Sequence, residues 1–238
     1  MVGGKVLIDG DYIAYVAAFK AEKDSEEQAC RLLDEIIDGI LTNTTVFYTN
    51  SDYEVYHSGS SSDERTKPNF RYSVSPIYKA NRIGKPKPQH LGACVDWLST
   101  MHRSVQSSGE EADDLIAIRA TELGPDTIIA SVDKDFLQVP CIFYNIMKET
   151  LTNTSEKEGV KFLYTQMLTG DTTDNIKGAK GIGPKKAEKI LAGCETEEEL
   201  WENVVKGYNG NKEEAIMNAR LVYLRRKVGE VWQPPDMR

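Results

Sequence analysis

The amino-acid sequence predicts an α/β fold with a mostly parallel central sheet, flanked by helices and followed by a helical C-terminal lobe. Short apolar runs alternate with helical patterns through residue 150, which is typical of parallel strands joined by crossover helices. The last third of the chain carries mainly helical patterns. We therefore expect an α/β core over residues 1–158 and a helical lobe over residues 159–238.

The predicted strands are short apolar runs bounded by polar residues. The first, KVLI, ends at Asp9, and a strong central strand within DTIIASVDKDF stops at Asp133. Further strands are predicted at TTVFYTN, at the start of SDYEVYH, at CIFYNIM and at ETLTNT. Helical spacing predicts helices at DYIAYVAAF, 24–42, LGACVDWLSTMH, GEEADDLIAIRATELG, VKFLYTQMLTG, TEEELWENVV and NKEEAIMNARLVYLRRKV.

The composition is that of a soluble globular protein and excludes several classes. The chain has 238 residues, and no stretch is long and apolar enough for a membrane span. The N-terminus shows no secretory signal pattern, so we expect a cytoplasmic location. The four cysteines are far apart and show no CxxC spacing, which argues against both zinc and a disulfide framework. We expect reduced, mostly buried thiols.

The charges are segregated along the chain, although the formal net charge is −8. No Asp or Glu occurs between Arg65 and Val95, and five lysines face one acid between Lys177 and Lys189. Acids dominate elsewhere, and several lie in tight pairs. This pattern indicates an acidic pocket flanked by two basic surfaces.

Eight carboxylates form four clusters, at the ends of predicted strands or at the starts of helices. They are Asp9; Glu111, Asp113 and Asp114; Asp133 and Asp135; and Asp171 and Asp174. Taken singly, each cluster is also explained by helix capping or a turn. Because ligands bind at the carboxyl ends of parallel strands, the acids together indicate one site. Oxygen ligands without Cys or His favour Mg²⁺ or Mn²⁺, and two such ions about 4 Å apart suit displacement at phosphorus.

The stretch GAKGIGPKKAEKIL predicts a tight glycine turn followed by a helix, within a helix–hairpin–helix at about residues 170–192. Gly181 and Gly183 would let the backbone approach a phosphate closely, and Lys180, Lys185 and Lys186 would add charge without reading bases. The alternative is an ordinary helix–helix turn with a solvated lysine face.

Together and in this order, the motifs resemble those of the 5′-nuclease superfamily. This superfamily comprises flap endonucleases, the 5′-nuclease domains of bacterial DNA polymerases and phage 5′→3′ exonucleases, and the chain is most similar to the T7-type phage enzymes. The matching stretches are VLIDGD, NFRYSVSPIYKANR, GEEADDLIA, IIASVDKDF, GDTTDNIKGAKGIGPKKAEKIL and ARLVYL. The resemblance implies a PIN-like core and a helix–hairpin–helix lobe. It also implies a basic arch over the active site at about residues 60–90.

The resemblance also implies roles for individual residues. The first metal site would hold Asp9, Glu111, Asp113 and Asp114, the second Asp171 and Asp174, and Asp133 and Asp135 would lie at or between them. Lys79 would stabilise charge at the scissile phosphate, Arg82 would clamp that phosphate, and Tyr78 would stack on a base. From the residues alone, these three also fit a solvated surface helix. The implied ions are two Mg²⁺, replaceable by Mn²⁺, and a K⁺ at the hairpin.

One position departs from the family pattern. Members usually carry an Asp at the end of the second strand, where TTVFYTNSD places Asn50. Asn can bind a metal or its waters but supplies no charge. Asp52 lies two residues further on and would point to the same face of a continued strand. We leave open which of the two acts at the second metal.

The sequence thus predicts a metal-dependent 5′→3′ exonuclease or flap endonuclease that acts on DNA 5′ ends or flaps and on RNA–DNA hybrid ends. A replication or single-strand-binding protein is a further expected partner, and a phage origin would place the enzyme in a bacterial host cytoplasm. One alternative is a haloacid-dehalogenase-type phosphatase with Asp9 as nucleophile, which leaves the lysine hairpin unexplained. The others are a non-catalytic DNA-structure-binding protein of the same fold and a related PIN-class ribonuclease.

Overall fold

Six strands form one sheet in the structure, a computed structural model that describes residues 5–45, 52–58 and 69–238. The strand order is β3-β2-β1-β4-β5-β6, and only the β5–β6 pair within this sheet is antiparallel. The prediction of a mostly parallel α/β sheet is confirmed. The strands are β1 Val6–Asp9, β2 Tyr53–His57, β3 Val105–Gln106, β4 Ile128–Ser131, β5 Cys141–Asn145 and β6 Thr150–Thr154.

Helices cover both faces of the sheet and build the C-terminal part. Their bounds are α1 Gly10–Lys20, α2 Glu26–Thr45, α3 Arg71–Val74, α4 Leu91–Met101, α5 Ala112–Leu123, α6 Glu156–Thr169, α7 Pro184–Ile190, α8 Glu197–Gly207 and α9 Lys212–Val222. Short 3₁₀ turns lie at Ala80–Arg82, Lys134–Gln138 and Pro235–Met237. Strands β7 Gly170–Asp171 and β8 Ile176–Lys177 form a separate antiparallel hairpin between α6 and α7.

Three apolar clusters hold these elements together. One packs α1, α2 and α4 against one sheet face, with Ile13, Leu33 and Leu98 fully buried, and a second packs α5 against the other face. The third lies among α6–α9 and includes Met167 and Trp201. Burial of such side chains contributes about 1.5–3 kcal/mol each. The division of the chain into two domains at residue 158 stays a prediction.

The sheet register brings three strand ends to one edge. In parallel pairing, Asp9 lies opposite Tyr56 of β2, and Ile8 lies opposite Ala130 of β4. The residues that follow these strands therefore share the carboxyl edge of the sheet. Helix α1 begins directly at Gly10, where a Cβ would lie 2.6 Å from the Tyr56 carbonyl oxygen, so only glycine fits this sharp turn.

The predicted strand TTVFYTN is wrong at its start. Thr44 and Thr45 are the last residues of α2, and the Thr44 hydroxyl donates to the Ile40 carbonyl 2.8 Å away, one helical turn earlier. Residues 46–50 lie outside the described residues. The strand that pairs with β1 is the second candidate, Tyr53–His57. Among the described residues, every helix is too short or too polar to span a bilayer.

Candidate active site

An acidic cleft lies at the carboxyl ends of β1, β2 and β4 and encloses about 230 Å³. Among the described residues, its charged lining consists of seven carboxylates and three cations. The acids are Asp9, Asp11, Glu111, Asp113, Asp133, Asp135 and Asp174, and the cations are Arg71, Lys79 and Arg82. The structure therefore brings six of the eight predicted acids to one cleft, together with both predicted cations.

Asp9 is buried at the end of β1 and held by two donors. Its carboxylate caps α1 by accepting from the Tyr12 N–H at 3.1 Å, and it accepts from the Ser131 hydroxyl at 2.6 Å. Burial and the neighbouring charge of Asp11 raise the pKa of Asp9 to about 7. The carboxylate is thus fixed in direction and resists ionisation in this environment.

Asp113, Asp133 and Asp135 share this unfavourable environment. Asp133 follows β4 and accepts from the Asp135 N–H at 2.9 Å. Burial, then repulsion from neighbouring acids, raises the pKa of Asp135 to about 8 and raises the pKa of Asp113 well above its ordinary value. Within the part of the chain that the structure describes, the Asp113 side chain makes no hydrogen bond or ion pair. These acids, together with Asp9, form the unpaired half of the cleft.

Glu111 and Asp174 lie in the same cleft but have partners. The Tyr78 hydroxyl contacts both carboxylates, at 2.8 Å from Glu111 and 2.9 Å from Asp174. Lys79 is ion-paired with Glu111, and Arg82 with Asp174. Burial alone would raise the pKa of Glu111, but Lys79 and Arg71 lower it below its ordinary value. We call Glu111 and Asp174 the paired half of the cleft.

The segment that carries these cations is held against the turn between β7 and β8. The Lys79 N–H donates to the Asp174 carbonyl at 2.9 Å, and the Asn175 side chain donates to the Ile77 carbonyl at 2.8 Å. Asn81 adds a bond to the Thr172 carbonyl at 3.0 Å. Lys79 itself has a left-handed backbone (φ 52°), so this stretch is a turn rather than the surface helix considered above.

Asp114 does not face the cleft, contrary to its predicted role at the first metal site. It is fully buried, and Arg71 donates to its two carboxylate oxygens at 2.6 and 2.9 Å. The backbone N–H groups of Arg225 and Glu111 donate to it as well. A carboxylate in the first turn of α5 points back towards the helix start, and there Arg71 neutralises it.

Three more residues were given roles by the resemblance: Asp52, Asn50 and Tyr78. Asp52 precedes β2 at the opposite edge of the sheet from the cleft, where it pairs with Lys5 at 3.1 Å. Asn50 lies outside the described residues. The Tyr78 ring is 2% exposed and packs edge-on against Tyr72, so it is not available to stack on a base.

Asp171 does not line the cleft but lies close enough to act on it. Asp171 accepts a hydrogen bond from the Thr173 N–H at 2.7 Å. Its charge also raises the pKa of Asp135, after the larger effects of burial and of Asp133. Its role at a second metal stays a prediction.

The sequence interpretation missed Asp11 and Ser58 in the cleft lining. Asp11 accepts from the Ser58 N–H at 2.9 Å, and the Ser58 hydroxyl accepts from the Ala112 N–H at 3.1 Å. Ser58 follows directly after β2, at the carboxyl end of a strand where site residues are expected. That position was the signal for it, although its side chain is not an acid.

The glycine-rich stretch forms a tight turn between β8 and α7. Gly178 packs so closely that a Cβ would lie 2.3 Å from the Leu168 carbonyl oxygen, and Gly181 has a left-handed backbone (φ 71°). Gly183 caps α7. The predicted DNA-binding lysines are exposed on this turn and on α7: Lys180, Lys185 and Lys186.

The acids of the cleft lie near one another but do not by themselves form a complete coordination shell for a metal ion. Across residues 5–45, 52–58 and 69–238, no three Asp, Glu, His or Cys side chains converge as the ligands of one ion do. Among the described residues, the cleft offers seven acids against three cations, and five of the acids lack a cationic partner: Asp9, Asp11, Asp113, Asp133 and Asp135. Mg²⁺ is usually bound by one or two carboxylates with waters and substrate phosphates completing its shell, so the donor set fits such an ion.

Comparisons with known proteins identify the family. Residues 5–165 match the family described as 5′-3′ exonuclease, N-terminal resolvase-like domain. The chain belongs to this family, and so to the 5′-nuclease superfamily. A DNA polymerase I of Rhizobium leguminosarum is 36% identical over 138 residues, and a flap endonuclease Xni of Shewanella baltica is 34% identical over 136 residues. Each alignment covers 51% of this chain, but only 14% of the polymerase and 52% of the endonuclease.

Solved structures show the same fold. The T5 5′-exonuclease with bound zinc superposes with a TM-score of 0.71 at 17% identity, covering 92% of this chain and 89% of that one. The bacteriophage T5 D15 flap endonuclease in complex with DNA and metal ions gives a TM-score of 0.68 at 16% identity, covering 93% and 89%. At such identities the likeness concerns the fold alone.

Proposed function

We propose that the chain is a divalent-metal-dependent 5′→3′ exonuclease or flap endonuclease that hydrolyses DNA phosphodiesters from 5′ ends. The observation that carries this proposal is the cleft itself, in which Asp9, Asp113, Asp133 and Asp135 lack cationic partners among the described residues and face two cations on a neighbouring segment. The family and the T5 enzymes bound to DNA and metal support the same substrate class.

The unpaired half of the cleft, joined by Asp174 from the paired half, would hold the metal ions. Asp9 and Asp113 would bind one ion, Asp135 and Asp174 a second, and Asp133 would lie between them. When bound, two Mg²⁺ ions supply an activated water and a counter-charge for the leaving oxygen. Bound cations also offset the burial and repulsion that raise the pKa values of Asp9, Asp113 and Asp135.

The paired half would act on the phosphate. Burial alone would lower the pKa of Lys79, but Glu111 and Asp174 raise it above its ordinary value, so Lys79 is a cation at neutral pH. A phosphate that enters the cleft offers Lys79 and Arg82 a second anionic partner beside these carboxylates. Cations fixed in this way stabilise the charge that builds up on phosphate oxygens during displacement.

The glycine turn between β8 and α7, together with α7, would hold the DNA backbone further along. Lys180, Lys185 and Lys186 are exposed beside a glycine turn, and lysines contact phosphates without reading base sequence. The substrate choice would therefore depend on a free 5′ end rather than on sequence. We extend the proposal to RNA–DNA hybrids with a 5′ end, because none of these contacts requires a deoxyribose.

The test is cleavage of a duplex with a 5′ flap, labelled separately at each end of the flap strand. We expect short 5′-labelled products in Mg²⁺ and none in EDTA. Asp113→Asn should bind the duplex in Ca²⁺ but not cut it, whereas Asp38→Asn, an exposed acid on α2, should cut normally. DNA that shifts on a gel yet stays intact in both Mg²⁺ and Mn²⁺ would instead indicate a protein that binds without cutting.

A further inference from the structure

A buried chain of side-chain amides connects the cleft to the helical part of the protein. The Gln166 amide nitrogen, on α6, donates to Asp135 Oδ1 at 2.6 Å. The Gln138 amide nitrogen donates to the Gln166 amide oxygen at 2.7 Å. The same nitrogen donates to the Val222 carbonyl at 2.7 Å, and the Gln138 oxygen accepts from the Leu224 N–H at 3.1 Å.

The backbone at the far end fixes the direction of every amide in this chain. A carbonyl at Val222 and an N–H at Leu224 demand, respectively, a donor and an acceptor from Gln138, so its amide has only one orientation that satisfies both. That orientation leaves the second N–H of Gln138 for the oxygen of Gln166. The Gln166 nitrogen must then point to Asp135.

Burial makes this arrangement costly to reverse. Gln138 is 2% exposed and Gln166 is 3% exposed, so solvent is not available to either amide. A flipped Gln166 would place its oxygen against the Asp135 carboxylate and its N–H groups against the Gln138 nitrogen. Buried polar groups without partners are strongly disfavoured, which makes one hydrogen-bonded state dominant.

We propose that Gln166 is a positioning residue for Asp135, and that Gln138 sets its orientation; this inference rests on the proposed function. Gln166 holds one carboxylate oxygen and leaves the other for an ion. A neutral donor does so without cancelling the charge that attracts the ion, unlike Lys79 at Glu111. Helix α6, which carries Gln166, runs directly into β7, which carries Asp171.

The test is direct binding of Mn²⁺, measured by titration calorimetry, together with steady-state cleavage kinetics. Gln166→Met keeps the length of the side chain but removes the donor. We expect Mn²⁺ binding about 10–100-fold weaker, as is typical when a residue that orients a metal ligand is lost. The Mg²⁺ concentration for half-maximal kcat should rise similarly, while the KM for DNA stays unchanged. Gln138→Met should weaken Mn²⁺ binding and raise the Mg²⁺ requirement as well, but by smaller factors.

Two controls separate positioning from general damage. Gln106→Met, an exposed amide on β3, should bind Mn²⁺ like the wild type. Gln166→Asn, which keeps the amide but shortens its reach, provides a second variant if Gln166→Met does not fold. Wild-type Mn²⁺ affinity in a folded Gln166 variant overturns this inference alone. A wild-type protein that binds no divalent ion overturns the proposed function and this inference with it.

Discussion

The two halves of the cleft contain the same kind of side chain in opposite electrostatic states. In the paired half, Lys79 and Arg71 lower the pKa of Glu111. In the unpaired half, burial and mutual repulsion raise the pKa values of Asp9, Asp113 and Asp135. The comparison teaches that the presence of a fixed cation, and not burial or acid density, separates a carboxylate whose pKa is lowered from carboxylates whose pKa is raised.

The hexapeptide GEEADD, at the start of α5, shows this separation. Glu110 pairs with Arg225, and Glu111 with Lys79. Asp114 pairs with Arg71, while Asp113 faces the cleft alone. Because successive residues of a helix point about 100° apart, Asp113 and Asp114 of the same motif meet different surroundings. The predictions below test this difference, from the largest expected effect to the smallest.

Removal of the cation from the buried pair should have the largest effect on stability. Arg71→Leu would leave Asp114 as an uncompensated buried charge, which costs about 3–5 kcal/mol. Urea unfolding measures the loss, and Asp114→Asn in the same chain should restore part of it. Arg31→Leu breaks an exposed pair with Glu27 and should cost less than about 1 kcal/mol. Equal losses for the two arginines would contradict the distinction.

Removal of the cation from the paired half should reduce catalysis instead. Lys79→Met should lower kcat by about 10²–10³-fold, the range found when one fixed electrostatic donor is lost. DNA binding in Ca²⁺ should change little, because the lysines of the glycine turn and of α7 remain. Lys148→Met, an exposed lysine between β5 and β6, is the control. A Lys79 variant with unchanged kcat would show that this cation only neutralises Glu111.

The lysines at the start of α7 should affect DNA binding rather than the rate of cleavage. Replacing both Lys185 and Lys186 by Ala should weaken binding to all sequences alike and reduce the salt-dependence slope by about 1.4–1.8, at about 0.7–0.9 per phosphate contact. Binding titrations on two unrelated duplexes from low to high salt measure it. The double variant Lys148→Ala with Lys206→Ala is the matched control. A loss confined to one duplex would argue against contacts with the backbone.

Glu54, outside the cleft, extends the comparison to pH. Burial alone would raise the pKa of Glu54, but Arg119, Lys5 and Tyr56 lower it to about 2 from an ordinary 4.5. The stabilisation is therefore present above pH 4.5 and is lost as the pH falls towards 2. It amounts to about 1–2 kcal/mol, because the group is partly exposed. Glu54→Gln should flatten the acid limb of the stability profile, and an unchanged limb would contradict this assignment.

Local sequence signals were sufficient for the sheet and for the position of the cleft. The runs ending at Asp9 and Asp133 are apolar enough to be central parallel strands, and such strands place their following residues at one edge. The predicted strand TTVFYTN was wrong at Thr44 and Thr45, because this stretch has strong strand propensity. Pairing with β1 selects Tyr53–His57, while α2 continues through Thr45.

The partners of individual acids could not be predicted, because they depend on contacts between distant parts of the chain. Arg71 reaches Asp114, 43 residues away, and the Leu221 carbonyl, 150 residues away. Gln166 reaches Asp135 only because α6 packs against the 3₁₀ turn at Lys134–Gln138. The local pattern gives the position of a carboxylate on its own helix, but not the charge that faces it.

The most direct test of the central claim is the unfolding free energy of the wild type and of Asp113→Asn at pH 8, in EDTA and then in Mg²⁺. The raised pKa of Asp113 means that its ionised form costs stability above pH 4 and increasingly so as the pH rises. The account predicts that Asp113→Asn is more stable than the wild type in EDTA and gains less stability from Mg²⁺. A variant that is less stable in EDTA, or that gains as much from Mg²⁺, would show that Asp113 is not an unpaired carboxylate left for a metal ion.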